Sequence, residues 1–209
     1  MSFDSLFLLR LILGGIASYL IGSVNPAIII SEKIYGDDIR SKGSGNAGMT
    51  NSFRVMGKKG GFMVMACDLA KGVIGVLVGW LIAGSAEGKI VAALCLIIGH
   101  CFPVYFGFRG GKGVLSTAGV FLMLDWRMAL SAIGLFLVVL LICKMVSVSS
   151  MLAALSLMGW SWVYGHGMDY VIISALIAML LIFMHRSNIK RIINRSESKV
   201  NIFGRGKAK

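Results

Sequence analysis

GFMVMACDLAKGVIGVLVGWLIAG, residues 61–84, carries only two charged side chains, Asp68 and Lys71, in a run otherwise made of apolar residues and glycine. A helix needs about 20 such residues to cross the hydrocarbon layer of a bilayer, so this stretch is read as a span. Six further apolar runs lie around it, at residues 6–30, 89–106, 114–124, 128–143, 148–164 and 170–184. The chain as a whole is 57% hydrophobic and 14% charged over 209 residues, with a mean hydropathy of +0.84. That leaves too little polar surface to cover a soluble globule of this size. The expected fold is an all-α polytopic membrane protein, a single integral-membrane domain over residues 1–209 with seven transmembrane helices. Residues 114–124 are short for a crossing, so that run borrows from the segment before it, thins the bilayer or is re-entrant. The first run is longer than the apolar region of a signal peptide and is expected to stay.

Charge sets the expected orientation. Of 21 Lys and Arg residues, 17 fall in residues 31–60, residues 100–113, Lys144 and the tail from His185, which alternate spans place on one side. The positive-inside rule makes that side cytoplasmic, with an outside N-terminus and a cytoplasmic C-terminus. The net charge of +12 is accounted for by this asymmetry and by attraction to anionic lipid, without a nucleic-acid partner. Residues 185–209 form a basic cytoplasmic tail.

Two segments on that side break the apolar pattern: SKGSGNAGMTN (41–51) and GHCFPVYFGFRGGKG (99–113). Glycines let backbone N–H groups converge on an anion, and Lys42, Arg54, Arg109 and Lys112 supply the charge a phosphate needs. In the first, Gly43, Gly45 and Gly48 alternate with Ser44, Asn46, Thr50 and Asn51; this is either a phosphate nest or a flexible loop, and the spacing is not that of a nucleotide P-loop. In the second, Gly110, Gly111, Lys112 and Gly113 lead into an apolar helix, which is either an anion site or a basic juxtamembrane turn. His100 is either a proton carrier or, as the first reading, a helix-end histidine with its ring satisfied by backbone, and Pro103 is expected to end or kink that span. Asp68 and Lys71, three apart, share a helix face and are read first as helix-to-helix glue.

Ser147, Ser149 and Ser150 open the sixth run, where a serine either caps a helix or binds phosphate. His185 and Asn188 share a face of a helical extension leaving the last run. The four cysteines lack CxxC spacing and are read as free structural thiols. There is no GxSxG, no HExxH, and no histidine followed five residues later by aspartate, so residues for a covalent or metal mechanism are missing and no cofactor or metal is expected. A phosphorylated ligand at the membrane surface is the first hypothesis. The anion-site argument alone also allows a transporter or receptor for a phosphorylated metabolite.

GSGNAGMTN (43–51), GHCFPVYFGFRGGKGV (99–114) and HRSNIKR (185–191) occur together and in order, with Gly22-Ser23, DLAKG (68–72), the serine cluster, Glu197 and Lys199 in support. The chain resembles the PlsY family of bacterial membrane enzymes, which transfer an acyl group from acyl phosphate to glycerol 3-phosphate. Arg109 stands where lysine is common in the family. The resemblance implies a seven-span enzyme of the bacterial cytoplasmic (inner) membrane that makes lysophosphatidic acid, the first acylation of phospholipid synthesis, without a protein partner. It implies an active site at the cytoplasmic face formed by Ser44, Asn46, Arg54, Lys112, Ser150, His185 and Asn188.

Overall fold

The structure, a computed structural model, describes residues 5–200. The last nine residues of the basic tail lie outside the described residues. Among the described residues all regular structure is helical, in ten α-helices. They are α1 (Ser5–Ser23), α2 (Pro26–Tyr35), α3 (Met49–Val55), α4 (Gly57–Ala83), α5 (Ala86–Cys101), α6 (Val114–Leu124), α7 (Trp126–Cys143), α8 (Val146–Val163), α9 (Met168–Met184) and α10 (Arg186–Ile193).

The protein is an all-helical membrane protein. Five helical segments are long and apolar enough to cross a membrane, or six if the bent pair α9 and α10 is counted as one span. The helix α6 has the bounds expected of the fourth run and, at 11 residues, falls below that length. Left-handed Gly113 (φ 81°) precedes it and extended Asp125 follows it, which is why the sequence punctuated it so sharply.

The helical path breaks or bends at two places. The first run, expected over residues 6–30, lies in one candidate span, Ser5–Tyr35, whose helix is broken at Val24 and Asn25. The Asn25 Oδ1 caps α2 by accepting from the Ile28 N–H at 3.2 Å, and Pro26 takes the first helical position, where a missing N–H costs nothing. The helical extension expected after the last run is present as α10, which leaves α9 at His185 with a 60° bend.

The chain divides into two compact units, Met1–Ala129 and Leu130–Lys209, with the division inside α7. In the first unit, α4 packs on α1, α5 and α6, and α1 packs along α5. Small residues allow this. A Cβ on Gly22 would lie 2.2 Å from the Leu96 carbonyl oxygen, and one on Gly99 the same distance from that of Tyr19. Gly14 meets the backbone of Gly79, and Gly72 meets that of Gly119. Lipid is as apolar as leucine, so helices in a bilayer associate by such close backbone approach and by polar links. One such polar link is Lys71, whose Nζ donates to the Gly22 and Val24 carbonyls at 3.1 and 2.8 Å, capping the broken end of α1 while it pairs with Asp68 at 3.2 Å.

In the second unit α8 packs on α9, with the Ser161 and Ser174 hydroxyls 3.4 Å apart between them. The tail returns to the start of α8: the Val200 N–H donates to the Lys144 carbonyl at 2.8 Å.

Candidate active site

The first glycine-rich segment rests on an apolar floor. Ile39, Ala47 and Met56 are buried with Ala27, Ile28 and Val64, so both ends of the loop are anchored to α2 and α4. Above that floor Gly43 (φ 59°) and Gly45 (φ 71°) take left-handed turns around Ser44. The conformation is held by Asn51. Its Oδ1 accepts from the Ser44 N–H at 2.9 Å, and its Nδ2 donates to the carbonyls of Ile39 and Lys42 at 3.2 and 3.0 Å. Asn51 is buried, and a Cβ on Gly43 would lie 2.3 Å from its Oδ1. The geometry thus makes Asn51 the organiser of the loop. Ser44 is exposed, Asn46 and Thr50 are half-buried, and Arg54 is exposed in the last turn of α3. Lys42 pairs with Asp37.

The second segment folds back on the end of α5. The Gly110 N–H donates to the Cys101 carbonyl and the Gly111 N–H to that of His100, each at 3.2 Å. A Cβ on Gly110 would lie 2.1 Å from the His100 carbonyl oxygen. Gly111 is wedged on two sides, because a Cβ there would meet His100 Nε2 at 2.3 Å and the Ala47 carbonyl oxygen at 2.5 Å. The two glycine-rich segments therefore touch at Gly111 and Ala47. Half-buried Lys112 follows immediately, and Gly113 turns the chain into α6.

His100 departs from expectation. Its ring is not satisfied by backbone alone: Nδ1 lies 3.1 Å from the Ser116 hydroxyl and 3.4 Å from Asp68 Oδ1, so one buried ring joins α4, α5 and α6 behind the glycine loop. Asp68 Oδ1 has the Lys71 ammonium and the His100 ring at ion-pair distance without hydrogen-bond alignment to either.

In the second unit the serines do not cap α8. Met145 holds the N-cap position, and Ser149 and Ser150 donate back to the carbonyls of Met145 and Val146 at 2.9 and 2.8 Å. Ser147 instead donates to Glu197 Oε1 at 2.7 Å. Asn188 Nδ2 reaches the same oxygen at 2.7 Å, and Arg191 Nε donates to Oε2 at 2.7 Å. Burial pushes the Glu197 carboxyl up, but the three donors and the charge of Arg191 outweigh it and hold the group below its ordinary value. His185 is buried, and its Nδ1 donates to the Leu181 carbonyl at 2.7 Å, so in the neutral ring the basic lone pair is on Nε2.

Contacts within the first unit thus gather Ser44, Asn51, Gly110, Gly111 and Lys112 around two abutting loops. Contacts within the second gather Ser147, Asn188 and Arg191 on Glu197, beside His185. Glu197 carried no role in the sequence reading beyond the resemblance. Its one signal was a lone carboxylate in a basic tail.

A family model described as glycerol-3-phosphate acyltransferase matches residues 12–195. A protein of Bacillus anthracis named glycerol-3-phosphate acyltransferase 2 is 44% identical over 187 residues, which cover 88% of this chain and 96% of that one. The glycerol-3-phosphate acyltransferase of Bacillus subtilis (strain 168) is 37% identical over 88% of this chain and 95% of its own length. Among solved structures, PlsY (YgiH), an integral membrane glycerol 3-phosphate acyltransferase, in its glycerol 3-phosphate form superposes with a TM-score of 0.86 at 33% identity, covering 91% of this chain and 96% of that one. Its lysophosphatidic acid form gives a TM-score of 0.83 at 32% identity, covering 91% of this chain and 95% of that one.

Proposed function

This chain belongs to the glycerol-3-phosphate acyltransferase family of integral membrane proteins, and from that premise we propose how its residues carry the reaction. It is a glycerol-3-phosphate acyltransferase of the PlsY type and makes lysophosphatidic acid. The donor is acyl phosphate. The hydroxyl oxygen of glycerol 3-phosphate attacks the acyl carbonyl, the new ester C–O bond forms, and the bond to phosphate breaks. The hydroxyl proton passes to the departing phosphate.

Such a donor is already activated, so the protein mainly positions two phosphorylated substrates and stabilises developing charge. The observation that carries this reading is the junction of the two glycine-rich segments at Gly111, which puts backbone amides, Ser44 and Lys112 within one unit. The roles are those the family resemblance implies, read with the chemistry of each side chain. Lys112 and Arg54 contact phosphate, while Gly43, Gly45, Gly110, Gly111 and Gly113 bring backbone close to it. Asn46, Thr50 and Ser150 line the substrates, and Asn51 holds the loop. His185, with its lone pair on Nε2, and Asn188 orient the attacking hydroxyl. The family match runs through both compact units, which supports a single functional domain.

Purified protein given glycerol 3-phosphate should form lysophosphatidic acid with acyl phosphate and not with acyl-CoA or acyl carrier protein. Comparable rates with a thioester would overturn the donor. Absence of product with every donor, alongside uptake of a phosphorylated metabolite into vesicles, would instead favour a transporter.

The finer topology belongs to the same proposal: α6 counts as a seventh span, and the active site lies at the cytoplasmic face of the bacterial inner membrane. The support is the clustering of 17 of 21 basic residues on one set of loops. Single cysteines near Lys58 and Ser198 should resist an impermeant label in intact cells, while those near Gly84 and Gly167 react. A tail labelled from outside reverses the orientation.

A further inference from the structure

We infer that Arg40 is a positioning residue that clasps the two glycine-rich segments in one register. The inference deepens the acyltransferase reading and rests on it. Arg40 lies in a short 3-10 turn, Ile39–Ser41, capped by Asp38. The Asp38 carboxylate holds the guanidinium at Nε (2.9 and 3.1 Å) and at Nη2 (2.8 Å), and also accepts the Arg40 N–H at 2.8 Å. That leaves Nη1 aimed at the second segment, where it donates to the Phe106 carbonyl at 2.8 Å and the Arg109 carbonyl at 3.3 Å.

Those two carbonyls flank the turn at Gly107 (φ 64°) and Phe108 (φ 58°), whose backbone is left-handed. The N–H side of this turn is tied to Pro103, through Phe106 and Phe108 at 3.1 and 2.9 Å. Its carbonyl side is tied to Arg40. The base of the clasp is rigid, since Ile39 is fully buried and its carbonyl accepts from Asn51, the same side chain that shapes the Ser44 loop. One side chain therefore links the two segments at their outer ends, and the Gly111 and Ala47 contact links them at the inner end, with Lys112 next to that second joint.

A simple surface ion pair is worth little. This one differs because a planar fork orients a donor toward backbone, a task for which lysine is no substitute. The guanidinium of Arg40 stays charged throughout the working range. The hydrogen bonds from Arg40 hold Asp38 below its ordinary value against the upward push of burial.

In purified protein Arg40→Ala should raise the KM for glycerol 3-phosphate about tenfold while kcat changes less, the scale of one lost charge-assisted hydrogen bond. Amide hydrogen exchange over residues 106–111 should rise. In a Lys112→Ala background the same substitution should have little further effect on kcat/KM, because the loop it positions has lost its main group. Arg40→Lys should recover little of the loss.

Unchanged exchange over residues 106–111 in Arg40→Ala overturns the clasp. Full rescue by lysine, or additive losses with Lys112→Ala, also overturns it, the latter in favour of direct substrate contact by Arg40. Raised exchange with Lys112→Ala fully active would uphold the clasp and remove the proposed role of Lys112, so the two ideas fail separately.

Discussion

Gly111→Ala is expected to lower kcat/KM by about a hundredfold while the protein still inserts in the membrane, since a displacement near 1 Å at a positioning segment costs that much. Neither neighbour of the added methyl group can yield. His100 Nε2, 2.3 Å from the would-be Cβ, belongs to a buried ring fixed by Ser116 and Asp68. The Ala47 carbonyl, at 2.5 Å, accepts from Asn25 Nδ2 at 3.4 Å beside the cap of α2. The loops must therefore part, moving Lys112 and the Ser44 loop relative to each other. Gly134→Ala in α7 is the control, because its Cβ would meet nothing within 4 Å. Steady-state kinetics with both substrates, beside a size-exclusion profile of each variant, makes the comparison. Gly111→Ala within threefold of native activity would mean that the junction does not position the site.

Lys112→Ala should lose about tenfold or more in kcat/KM, because a hydrogen bond to a charged group contributes roughly 1.5–3 kcal/mol and 1.4 kcal/mol is a factor of ten. A contact made equally in ground and transition states shows the loss in KM. One that strengthens during the reaction shows it in kcat. The half-buried setting of Lys112 between two buried glycines favours an oriented contact over a diffuse one. Normal expression with kcat/KM unchanged for both substrates would remove Lys112 from the site, and with it the phosphate role of the whole Gly110 to Gly113 turn.

What was readable in the sequence, and what was not, follows from the range of the forces involved. Helix α6 matched its expected bounds because its stops are local, a left-handed glycine before and an extended aspartate after. The break in the first run also had a local signal, Asn25-Pro26, but apolar residues on both sides hid it. Asn51 carried the right residue type for a ligand donor. The structure turns its side chain inward instead, onto backbone groups as far back as Ile39. Glu197 was beyond reach, since its donors come from Ser147, Asn188 and Arg191, a grouping set by tertiary folding. Arg40 was equally hidden, because its partners across the loop are carbonyls, which no pattern of side chains records.

The glycines that let α1 approach α4 and α5, and α4 approach α6, have a consequence for how the first unit comes apart. Where Gly22 meets Leu96 and Gly99 meets Tyr19, backbone lies against backbone with no side chain between. A methyl group at such a crossing opens an apolar seam, and the only solvent able to fill it is the acyl chain of a neighbouring lipid. The competitor for these contacts is therefore the bilayer rather than water. Failure of this unit is a lateral parting of intact helices, governed by how tightly the surrounding chains pack, and the charge-capped break at Lys71 is a polar tether that resists it.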